Sequence, residues 1–97
     1  MKVITMCGSF KYKEEMIRSA IKLQLEGNVV LMPIFPVEGD KSTFTKEEIL
    51  VLGERHKDRI RMSDAIFVVN VDHYIGESTK KEIELAESLN KEVIYLV

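Results

Sequence analysis

The sequence is poor in the features that would place it in several familiar classes. Its 97 residues contain one cysteine and two prolines. Cys7 cannot form an internal disulfide, and at the end of an apolar run it reads as a small buried residue rather than a reactive thiol. Apolar runs stop at strand length, which excludes a membrane-spanning helix. The N-terminal MKVITMCGSF lacks the apolar segment of a secretory signal, so the expected address is the cytoplasm. Charge blocks, low-complexity tracts, internal repeats and linkers are also missing. With Lys and Arg dispersed and a net charge of −2, there is no electrostatic footprint for a nucleic-acid polymer. Paired Cys/His spacing is absent: His56, Asp58, Asp72 and His73 form no ligand pattern, so neither metal nor cofactor is expected. Small molecules remain as the natural partner class.

What is present is the composition of an ordinary globule, 45% hydrophobic and 31% charged. A chain this short buries only about 60–65% of its unfolded surface and cannot divide its core, so residues 1–97 are expected to form one domain. Residues 2–7 read as a strand. Residues 11–27 follow as a helix with Met16, Ile17, Ala20, Ile21 and Leu25 on one stripe, stopped by Gly27 and Asn28. Residues 28–33 are a second strand, apolar throughout, as suits a parallel sheet covered on both faces. Residues 34–44, bounded by prolines, read as a long loop or lid.

Thr45 and Glu48 are spaced as a capping box opening a second helix over 45–63, with Ile49, Leu52, Gly53, His56 and Ile60 on one face. A third strand covers 64–72, a loop 73–78, a third helix 79–90 and a final strand 92–97. This alternation predicts an α/β fold: a doubly wound, four-stranded parallel sheet of order 2-1-3-4 with helices on both faces. Ligands in such sheets bind beyond the carboxyl ends of the strands where the winding reverses, here between strands 1 and 3. The loops leaving those ends, GSFKY and HYIGEST, are rich in groups that meet phosphate or sugar oxygens.

One residue in the last helix does not fit its surroundings. Wound from Thr79, the residues Ile83, Leu85, Ala86 and Leu89 form an apolar arc, and Glu82 falls inside it. Two readings are open. If Thr79 is the N-cap, Glu82 is the third helical residue and closes a capping box; if Ser78 is the cap, that box disappears. Alternatively Glu82 stands at the crevice, where a carboxylate can attack an anomeric carbon or stabilise an oxocarbenium-like transition state. His56 either packs in its stripe or hydrogen-bonds substrate. Asp72 either ends its strand or accepts from a ribose hydroxyl. Tyr74, Phe10 and Phe35 either stack on a base or pack at the rim. The signatures of other doubly wound families are missing: there is no Gly-Lys-Ser/Thr loop, acidic cluster after the first strand, or GxGxxG.

CGSF after the first strand, SDAIFVVNVD as the third, and GESTKKEIELA leading into the last helix resemble the nucleoside 2-deoxyribosyltransferases. The resemblance extends to the related 2'-deoxynucleoside 5'-monophosphate N-glycosidases and covers nearly the whole chain. It implies a flavodoxin-like or Rossmann-like fold and cleavage or transfer at an N-glycosidic bond, with Glu82 as nucleophile. It further implies that Gly8, Ser9, Phe10, His56, Asp72, Gly76, Ser78 and Thr79 bind a nucleoside or its monophosphate. The chain departs from the family at three supporting positions. Thr5 stands for a Tyr that orients the nucleophile, His56 for an Asp in the second helix, and Glu84 for a Gly after the catalytic Glu. These departures favour, as the alternative, a non-catalytic nucleotide-binding module of the same fold. The open ends of a four-stranded sheet suggest a homodimer or higher homo-oligomer.

Overall fold

The computed structural model describes residues 1–36 and 44–97; the loop expected over 34–44 lies outside them from 37 to 43. Four strands, β1 (Val3–Gly8), β2 (Val29–Leu31), β3 (Ala65–Val69) and β4 (Glu92–Tyr95), make one sheet. All neighbouring pairs are parallel and the order is β2-β1-β3-β4, the topology expected from the alternation of apolar runs and helical stripes. β1 and β3 pair over five positions, from Ile4 with Ala65 to Gly8 with Val69. Their central position explains the near-complete burial of both strands.

The helices are α1 (Lys13–Leu25), α2 (Lys46–Met62) and α3 (Glu77–Ser88). Strand alternation divides the core between the two faces of the sheet. On one face Met6 and Val69 pack against Met16 and Ala20 of α1. On the other, Cys7, Ile66 and Val68 pack against Ile60 of α2 and Ile83 and Ala86 of α3. α2 opens with the expected capping box: the Thr45 hydroxyl accepts from the Glu48 amide at 3.1 Å, and the Glu48 carboxylate accepts from the Thr45 amide at 2.8 Å.

Two helical stripes differ from expectation. In α1 the inward line runs through Met16, Ala20 and Leu23, whereas Ile17, Ile21 and Leu25 are exposed. A single helix on this face needs one i, i+4, i+7 ridge to cover Met6 and Val69, and the adjacent ridge faces outward. In α2 only His56 and Ile60 of the expected face are buried. Ile49 belongs to the half of α2 nearer its start and is exposed together with Leu50 and Val51.

Thr5 is fully buried beneath the end of α2. Its hydroxyl pairs with that of Ser63, which donates to the Arg59 carbonyl at 2.7 Å. A polar side chain is thereby satisfied inside the sheet–helix layer, tying β1 to the C-terminal turn of α2.

Candidate active site

The first wall of the site is the end of β1. Gly8 closes the strand where a Cβ would stand 3.1 Å from both the Val69 Cβ and the Val69 carbonyl oxygen. Only a residue without a side chain lets the chain turn there against β3. Ser9 then caps a 3-10 turn, Phe10–Tyr12, its hydroxyl accepting from the Lys11 amide at 3.3 Å. Phe10 packs edge-to-face on Phe35, with ring centroids 5.1 Å apart. Opposite them the Lys11 ammonium lies 3.7 Å above the ring of Tyr74.

The second wall is the start of α3, and here the expected helix boundary is corrected. The N-cap is Gly76, in extended geometry with no side-chain capping bond; the first turn is closed by donation from the Lys80 amide to the Gly76 carbonyl at 3.0 Å. Neither Thr79 nor Ser78 is the cap. Glu82 lies six residues beyond the cap, too far into the helix for a capping box, which needs the third position. Thr79 is buried, and the Glu82 side chain is 19% exposed.

The third wall is α2, which contributes His56 and Arg59. Arg59 donates to His56 Nδ1 at 3.1 Å. Because a guanidinium offers only donors, this contact makes Nδ1 the acceptor and places the ring proton on Nε2. Nε2 faces Glu82 Oε1 at 3.8 Å and Cys7 Sγ at 3.8 Å.

Burial dominates the protonation of this trio. It raises Glu82 from 4.5 to about 7, against the opposing hydrogen bond from Cys7 and the charge of Lys57. Burial, then the Arg59 charge, lowers His56 from 6.5 to about 4, against a backbone hydrogen bond at Met6. The Cys7 thiol is pushed well above its ordinary value by burial and by Glu82. His56 and Glu82 are therefore not an ion pair near neutrality, despite their proximity: the ring is neutral, and the carboxyl divides between its two forms.

The walls enclose a cavity of about 650 Å³ at the carboxyl edge of β1 and β3. Gly8, Ser9, Phe10, His56, Gly76, Ser78, Thr79 and Glu82 all line it. Asp72 does not. β3 ends at Val69, and Asp72 and His73 follow in left-handed conformation, with φ of 53° and 63°, leaving Asp72 exposed. The strand expected to run to Asp72 is therefore three residues shorter, and Asp72 falls away from the cavity. Arg59 and Glu77 line the cavity without having been singled out in the sequence. The signal for Arg59 was its place three residues after His56, one helical turn along the same face. Cys7, read as core, is core and also touches the site residues.

Fold and cavity together define an α/β protein with a cleft at the switch point of a parallel sheet. No protein-family model and no curated protein matches the sequence. Solved structures do match in shape. A 2-deoxyribosyltransferase from Leishmania mexicana superposes with a TM-score of 0.66 at 19% identity, covering 98% of this chain and 63% of that one. The CMP N-glycosidase BcmB from Clostridium botulinum superposes with a TM-score of 0.62 at 18% identity, covering 97% and 67%. The chain thus spans under two thirds of the length of the first of these and has the fold of both. No helix of the described residues is long and apolar enough to cross a membrane.

Proposed function

We propose that this protein cleaves or transfers the N-glycosidic bond of a nucleoside or its 5'-monophosphate, with Glu82 as the nucleophile. The observation that carries the reading is the placement of Glu82: a carboxyl on the wall of the switch-point cavity, not engaged in capping its own helix. In the ionised form its oxygen attacks C1', the C–N bond breaks, and the electron pair leaves with the base, which takes a proton from water. Water or a second base then releases the glycosyl-enzyme. The neutral His56, its proton on Nε2, stands beside the Glu82 carboxyl at 3.8 Å and bounds the space that the carboxyl can occupy. Gly8, Ser9 and Ser78 supply amides and hydroxyls for sugar or phosphate oxygens beside the start of α3.

The fold shared with a 2-deoxyribosyltransferase and a CMP N-glycosidase supports this reading. A cytoplasmic setting and a single catalytic domain go with it. The exposed apolar residues Ile49, Leu50 and Val51 next to the cavity edge are consistent with a homo-oligomer. The burial of Thr5 away from the cavity favours, as the second reading, a binding module that has lost catalytic support.

The test is a panel of nucleosides and nucleoside monophosphates assayed for free base. Release that disappears in Glu82→Gln with the fold retained supports the enzyme. Binding without release supports the module, and neither outcome removes both.

A further inference from the structure

Cys7, His56 and Glu82 come from β1, α2 and α3, yet they bring a sulfur, an imidazole nitrogen and a carboxylate oxygen within 4.8 Å of one another. Cys7 Sγ and Glu82 Oε1 each lie 3.8 Å from the same His56 Nε2. Zinc held at its usual distances of about 2.0–2.3 Å sets the donor atoms of one tetrahedron roughly 3.3–3.8 Å apart. The two pairs that share Nε2 are within about 0.5 Å of that spacing, and the sulfur and carboxylate oxygen, within 4.8 Å of each other, close the remaining gap by rotation of the Glu82 side chain. Two of the three donors, His56 and Glu82, line the cavity, and the third, Cys7, lies behind them in the core.

We propose that Cys7 Sγ, His56 Nε2 and a Glu82 carboxylate oxygen form a site for one thiophilic divalent cation, zinc foremost, with a water completing the tetrahedron.

The donor set selects the ion. Magnesium and calcium require oxygen ligands throughout, whereas mixed sulfur, nitrogen and oxygen suit zinc and cobalt. Thiolate and carboxylate together cancel the charge of a dication inside a largely buried site. Binding releases the thiol proton and any proton on Glu82. The imidazole keeps its single proton, which moves from Nε2 to Nδ1 as Nε2 takes the metal.

That shift has a cost peculiar to this structure. Nδ1 becomes a donor facing the Arg59 donor, so the guanidinium, which lines the cavity, must turn away. A ligating histidine normally gives its second N–H to an acceptor. Arg59→Gln supplies a carbonyl at that place and is expected to tighten the site about tenfold. The site does not depend on the glycosidic reading, although an ion here would occupy the oxygen that reading assigns to attack and would inhibit base release.

The test titrates the full chain with Co²⁺ and then displaces it with Zn²⁺. One equivalent of Co²⁺ should give a thiolate-to-cobalt charge-transfer band, and Cys7 is the sole cysteine to which it can belong. One equivalent of Zn²⁺ should abolish the band. Cys7→Ser should remove it with the circular dichroism spectrum unchanged. If that variant fails to fold, Glu82→Gln serves in its place and should weaken Co²⁺ binding by about 10- to 100-fold or more, since even outer-shell partners of a metal site are worth that much. Absence of the band in the wild type, its persistence in Cys7→Ser, undiminished affinity in Glu82→Gln, or weaker binding in Arg59→Gln would each overturn the site.

Discussion

Arg59 donates to His56 Nδ1 at 3.1 Å, and this one contact decides which ring nitrogen carries the proton. The guanidinium offers only donors and a permanent charge, so it keeps the ring proton on Nε2 and adds to the burial that holds the imidazole neutral. Arg59→Met removes that charge while burial persists. The His56 pKa should rise above about 4 but stay below 6.5, because burial is the larger cause. Proton NMR titration of the His56 ring measures it, and an unchanged value would refute the coupling.

Glu82 makes stability depend on pH in a predictable direction. Its folded value, about 7, exceeds its ordinary 4.5. Its contribution is fully retained below about pH 4.5 and lost as pH rises through about 7, where the unfolded chain ionises more readily. Glu82→Gln should therefore be more stable than wild type at about pH 8, by on the order of 1–3 kcal/mol, and nearly equal at about pH 4. Urea denaturation at the two pH values checks the sign.

His56 acts in the opposite sense. Lowered from 6.5 to about 4, it contributes stability above pH 6.5 that is lost as pH falls through about 4. His56→Gln should flatten the acid limb of the stability curve while leaving the Glu82 limb in place.

If base release occurs, its rate should climb as pH passes through about 7, when the attacking form of Glu82 accumulates. Glu82→Gln should lower the rate by about a thousandfold or more, consistent with loss of a nucleophile. A rate indifferent to pH in this range would point away from the carboxylate.

Placing a tyrosine at position 5 should fail. Thr5 is fully buried, and its hydroxyl is tied to Ser63. Thr5→Tyr is expected to cost about 3 kcal/mol or more through overpacking and to bring no gain in base release. Thr5→Ser should be tolerated. Thermal unfolding of the two variants separates these outcomes.

Strand order was legible because each apolar run is strand-sized and each of the first three is followed by a helical stripe, which favours parallel pairing. The start of α3 was not, since Gly76, Ser78 and Thr79 are all competent caps and only tertiary packing chooses among them. Asp72 misled for a related reason: VVNVD keeps the alternation of a strand, but the backbone leaves the sheet after Val69. Glu82 stood out inside an apolar arc and His56 within a packing stripe, whereas Gly8 and Ser9 were read from the loop that leaves β1 and from the resemblance. Arg59 carried a signal in its spacing from His56 along α2, whereas Cys7 touches the site residues through a contact between β1 and α2, for which linear spacing has no signature.

Glu82 is immediately followed by Ile83 and stands one turn before Ala86, both anchored in the interior beside Cys7. The acid is thus bolted to the framework, and any molecule that tried to shift it would have to pry open the packing beneath. What the cavity admits would then be decided at Phe10 and Tyr74, which line it and are exposed, rather than at the acid.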